Sequence, residues 1–222
     1  MILNSKYEKN IIYPGFILYK NAVDITDYDV DNLVQVYKDS FKFDDKYGTK
    51  IKNTLWHLFK IMDKEDEILY LQKIILKFIA DYVDTFPEAV HTIQWQEKIN
   101  IDIDVAGETE YILNPNQSYT KLNKKINNIP FSRQIFLEIS IDDQYDGGEV
   151  EWLYLPDVNI KKMNKGDILI YPANYLFSRK QSSIISGRKM FLTTFFNGGK
   201  DFLYEDEDYD SPNNNLLSSY LL

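Results

Sequence analysis

The feature that most limits the fold is a change of hydrophobic period at Pro87. After it, apolar residues recur every second position. "KINIDIDV" (98–105) puts Ile99, Ile101, Ile103 and Val105 on one face, with Asp102 and Asp104 opposite. "RQIFLEISI" (133–141) does the same with Ile135, Leu137, Ile139 and Ile141, and "EVEWLYL", "GDILIY" and "KMFLTTFF" follow. Successive side chains of a strand point to opposite faces, so this rhythm predicts half-buried antiparallel strands. Before Pro87 the period is helical. In "DKEDEILYLQKIILKFIADYVDTF", Ile68, Leu71, Ile75, Phe78 and Tyr82 share a stripe. Acids open that helix and Pro87 follows it, both ordinary boundary signals. "DYDVDNLVQVYKDSFKF" predicts a second helix, capped by Asp29 or Asp31, with Leu33, Val34, Tyr37 and Phe41 on one face. "YPGFILYKNAVD" (13–24) reads as an opening strand. Helices followed by a run of strands predict an α+β chain, a β-sandwich or jelly roll with the N-terminal helices packed on one sheet.

Composition limits the chemistry. There are no cysteines, which excludes disulfides, thiolate metal sites and cysteine nucleophiles. The only histidines are His57 and His91. A net charge of −9 and only three arginines, Arg133, Arg179 and Arg188, argue against a general affinity for nucleic acid. No apolar run approaches the ~20 residues that span a bilayer, and "MILNSKYEKN" lacks the order of a signal peptide. The expectation is a soluble protein, cytoplasmic when synthesised, without membrane or nucleic-acid partners. There is no P-loop, no dinucleotide fingerprint after a strand and no serine-nucleophile elbow. Without a repeat or long linker, residues 1–200 read as one domain. Residues 201–222 read as an acidic tail ending in Leu216, Leu217, Tyr220, Leu221 and Leu222. That tail is either a solvated terminus or an arm docking on a neighbouring subunit of a homo-oligomer.

Three motifs in fixed order occupy the second half. They are "DDQYDGGEVEW" (142–152), "IKKMNKGDILIYPANYLF" (160–177) and "RKQSSIISGRKMFLTTFF" (179–196). Gly147–Gly148 permit a tight turn, Gly166–Asp167 can start a strand, and Pro172 can end one. The acids around the glycine pair fit an exposed turn. In order and spacing these motifs resemble the prolyl-4-hydroxylase-like branch of the 2-oxoglutarate/Fe(II)-dependent oxygenases, and the likeness extends more loosely over 13–197. The resemblance implies a double-stranded β-helix (jelly-roll) core with the N-terminal helices packed on one sheet.

It also implies an Fe(II) site of two histidines and one carboxylate, with 2-oxoglutarate beside it. Here the likeness breaks. The H-x-D motif would fall near Lys121, Leu122 or Asn123, yet residues 112–136 contain neither histidine nor carboxylate. The distal histidine aligns with Arg179. His57 and His91 lie away from both places. The lysine that grips the distal carboxylate of 2-oxoglutarate aligns with Lys189, with Arg188 beside it. The expectation is therefore a non-catalytic oxygenase-fold protein without cofactor. It would act as a structural or protein-interaction module in a larger assembly, as in the neck, tail or baseplate of a tailed-phage virion. Two alternatives stand beside it. One is an active hydroxylase holding Fe(II) and 2-oxoglutarate. The other is an anion or sugar binder at the barrel mouth.

Overall fold

A computed structural model describes residues 1–27, 29–35, 65–93, 95–97, 99–106, 111–113, 120–121 and 133–198. The fold is mostly β. Strands β1 (Ile2–Leu3), β2 (Glu8–Tyr13), β3 (Phe16–Lys20) and β4 (Val23–Asp24) open the chain. A helical stretch, α1, takes in residues 27 and 29–35, and the longer α2 is Glu65–Thr85. Then come β5 (Trp95–Gln96), β6 (Asn100–Val105), β7 (Tyr111–Leu113), β8 (Thr120–Lys121) and β9 (Arg133–Asp142). The last are β10 (Tyr145–Gly147), β11 (Val150–Trp152), β12 (Ile168–Pro172), β13 (Arg179–Gln181) and β14 (Ile184–Asn197).

The larger sheet runs β10-β14-β9-β12-β3-β2, and β5 and β6 also pair with β14. The smaller sheet runs β11-β13-β7-β8. Every pairing in these two sheets is antiparallel. The two sheets enclose an interior, and α2 covers the outer face of the larger one. The predicted stripe of α2 is buried and packs with Ile135, Leu137 and Ile139 of β9. The Tyr19 and Phe78 rings meet edge to face at 4.8 Å. The helix stops where predicted. Phe86 N donates to Tyr82 O at 2.9 Å, and Pro87 opens a short 3-10 turn, Pro87–Thr92. The helices therefore pack on one sheet, as the α+β reading expects.

Three sequence expectations change. The stretch 13–24 is not one opening strand: β1 and most of β2 precede it, Tyr13 ends β2, and Asn21 takes φ 53° and breaks β3 from β4. Asparagine tolerates this left-handed region better than most residues. The cap of α1 is Thr26 rather than an aspartate. Asp29 Oδ2 accepts from Thr26 N at 2.9 Å while Asp29 N donates to Thr26 Oγ1 at 3.2 Å, a reciprocal capping box. Tyr37 and Phe41 lie outside the described residues. Third, β9 is not half-buried. Its isoleucine face meets α2, and Phe136, Glu138 and Ser140 on the opposite face are buried too. That second face looks into the interior between the sheets, which a two-residue period cannot distinguish from solvent.

Candidate functional site

The candidate site is built on β13. This strand pairs with β11 through Trp152 and with β7 through Leu113, both opposite Arg179. Strand alternation turns Arg179 and Gln181 inward, each 2% exposed, and leaves Lys180 partly exposed between them. Across the interior, β9 presents Glu138, 1% exposed, in register with Thr193 and Leu169 on its two neighbours. Arg179 Nη2 donates to Glu138 Oε2 in a fully buried ion pair. Arg179 Cζ also lies 5.6 Å from the Trp152 ring centroid. The indole Nε1 donates to Ile160 O at 3.2 Å, which fixes the ring.

A second polar bridge runs parallel to the first. Lys189 Nζ of β14 donates to Gln181 Oε1, and Gln181 Nε2 donates to Asp104 Oδ2 of β6 at 2.8 Å. Lys189 Nζ stands 4.9 Å from the Phe191 ring. Alternate residues of one short strand are thus tied to three strands of the opposite sheet. Around them Phe16, Phe136, Tyr171, Phe177 and Phe195 form an aromatic core, with Trp152 against Phe16 at 4.8 Å and Tyr171 at 5.3 Å. The cavity left beside Glu138, Tyr145, Lys162, Arg179 and Lys189 is about 10 Å³, room for one water molecule.

Burial sets the electrostatics. It pushes the Lys189 ammonium down to about 8, with Glu138 pulling the other way and Arg179 adding to the fall. It raises the Tyr171 and Tyr145 hydroxyls well above the usual tyrosine range. The Tyr171 hydroxyl finds no hydrogen-bond partner among the described residues.

The residues singled out by sequence go to different places. Arg179 and Lys189 meet in the interior. Arg188 falls on the other face of β14 and pairs with Asp142 at 2.7 Å, with Asp31 3.8 Å away. Lys121 lies on β8, its backbone in row with Tyr111 and Gln181. Leu122, Asn123, the terminal Leu216, Leu217, Tyr220, Leu221 and Leu222, and His57 lie outside the described residues. Asp104, Glu138 and Gln181 were not singled out. The available signal was a lone glutamate inside "IFLEISI", because carboxylates are rarely buried unless paired.

Fe(II) with 2-oxoglutarate is what such a fold implies, and the residues here do not fit them. The residue that the resemblance aligns with the distal histidine, Arg179, carries a guanidinium, which stays charged and has no acceptor atom for a metal. Its positive charge repels a cation. The acid facing it, Glu138, is bound to it. Among the described residues no three His, Cys, Asp or Glu side chains come together as a metal site.

No family model matches the chain, and no curated protein matches it. Solved structures do. The chain is similar to a prolyl 4-hydroxylase from Phytophthora capsici, with a TM-score of 0.54 at 11% identity over 93% of this chain and 69% of that one. It is more distantly similar to a Pseudomonas putida prolyl-4-hydroxylase (TM-score 0.44, 10% identity, 83% and 89% covered). The 2-oxoglutarate complex of the viral collagen prolyl hydroxylase from Paramecium Bursaria Chlorella virus-1 is a further match (0.40, 17%, 58% and 73%). The first of these likenesses gives the chain the double-stranded β-helix of the 2-oxoglutarate oxygenases.

Proposed function

We propose that this oxygenase-fold chain is non-catalytic and serves as a structural or protein-interaction module within a larger assembly. One observation carries the reading. Arg179, the residue that the resemblance aligns with a metal-binding histidine, is buried and already paired with a buried carboxylate. Folds outlast the sites they carry, and a β-helix core keeps its packing without its reaction. The anion-gripping role that the resemblance assigns to Lys189 is likewise taken up internally, because its ammonium donates to Gln181. The alternative of an active hydroxylase needs three ligands, and no observation favours it.

The test is anaerobic titration of the purified chain with Fe(II), followed by addition of 2-oxoglutarate and oxygen. The expected result is no stoichiometric iron binding and no succinate above the protein-free control. One iron per chain with 2-oxoglutarate consumption would end this reading.

A further inference from the structure

Arg179 and Gln181 do more than fill space, since each reaches a different strand of the facing sheet. The smaller sheet is attached to the larger one by two kinds of contact. One is the aromatic core of Trp152, Phe16, Tyr171 and Phe136. The other is polar, and its bonds described here run from β13. Arg179 reaches Glu138 on β9, and Gln181 reaches Asp104 on β6 while accepting from Lys189 on β14. Aromatic packing tolerates sliding. A buried ion pair and an amide bonded at both ends do not, because each lost bond leaves a polar group unsatisfied in a low dielectric.

We propose that these two bridges form a built-in clamp that fixes β13 against β9, β6 and β14. The clamp deepens the non-catalytic reading and rests on it. It adds a specific claim, that the smaller sheet is held in place by paired charge and opens together with the larger sheet.

The geometry supports this in three ways. Both charged partners are 2% exposed or less, so bulk solvent screens the pair little. Arg179 sits opposite Trp152 and Leu113 in the middle of its sheet, so its position is passed to both neighbouring strands through the ladder. Gln181 pairs in the same way with Val150 and Tyr111. Fixing two residues of a three-residue strand leaves it no free register.

Hydrogen exchange on the wild-type chain, followed by mass spectrometry, is the first test. Amides of β7, β11 and β13 are expected to exchange no faster than those of β9 and β14. Exchange of the smaller sheet well before the larger would overturn the clamp and leave the non-catalytic reading standing. The second test is a double-mutant cycle of Arg179→Gln and Glu138→Gln, read by thermal melting. Each single change leaves one buried charge unpaired and is expected to lower Tm by about 10 °C. The double variant is expected to recover at least half of that loss. Strictly additive losses would mean that the two side chains do not act as a pair and would overturn the proposal. Iron binding is untouched by either outcome, so failure of the clamp and failure of the non-catalytic reading remain distinguishable.

Discussion

Lys189 holds its ammonium inside the fold, 6% exposed. Burial lowers its affinity for a proton to about 8, against an ordinary value near 10.5. Between those values the folded chain binds fewer protons than the unfolded chain, so stability must rise with pH through that window. The full gain is about 3 kcal/mol for a shift of this size. The effect is absent below pH 8, where both states hold the proton. An opposing effect begins near pH 10, roughly where unfolded tyrosines ionise. Burial holds the hydroxyls of Tyr19, Tyr82, Tyr145 and Tyr171 protonated in the fold, so alkali favours unfolding. Urea unfolding from pH 7 to 11 should show a maximum between these two effects. Lys189→Met should flatten the rising limb and leave the falling limb in place. A rising limb unchanged in that variant would assign it to other groups.

Among the elements, the turn into β12 is the most tightly specified. Gly166 has φ +87°, and a Cβ placed there would stand 2.1 Å from Val23 O. Its carbonyl accepts from Ala22 N and Val23 N, and its own N donates to Ser140 O. Asp167 completes the knot, accepting from Asn21 N and Asn164 N at 2.9 Å each. The turn therefore joins β4, β9 and β12. Gly166→Ala is expected to cost about 3 kcal/mol, seen as a lower denaturation midpoint. Asp167→Ala, which leaves two amides without their acceptor, is expected to cost about 2 kcal/mol.

This turn was legible in the sequence, because glycine before a strand and proline after it have local causes. The α2 stripe was legible for the same reason, since helical period reports burial on one side. The interior of the barrel was not. Asp104 and Glu138 occupy the polar phase of alternating strands, and that phase reads as solvent until a second sheet covers it. Gln181 has no local signal at all. Its partners, Asp104 and Lys189, come from β6 and β14, and only the folded topology brings them together. The resemblance singles out Arg179, but not its carboxylate partner, 41 residues earlier.

At the scale of the molecule, one sheet separates two cores. Ile75, Phe78 and Tyr82 of α2 pack with the Ile135, Leu137 and Ile139 face of β9. Phe136 on the same strand belongs to the aromatic interior with Phe16, Trp152 and Phe195. Phe78 is fully buried, and Phe78→Ala is expected to cost about 4 kcal/mol through lost burial and a residual cavity. Denaturation should remain a single cooperative transition, because β9 belongs to both cores. Two separated transitions in that variant would show that the helical layer and the barrel unfold independently.

Strand β14 pairs with β5, β6, β9 and β10, reaching back from Phe191 to Asp102 and from Asn197 to Trp95. It is also the latest described strand to be made. On a ribosome adding roughly 5–20 residues per second, β6 and β9 wait several seconds for the partner that lies between them. During that time their apolar faces and unpaired edges are open to other chains. Barrel closure is therefore a late event of synthesis, and the nascent chain has most need of a chaperone just before Phe191–Asn197 emerges.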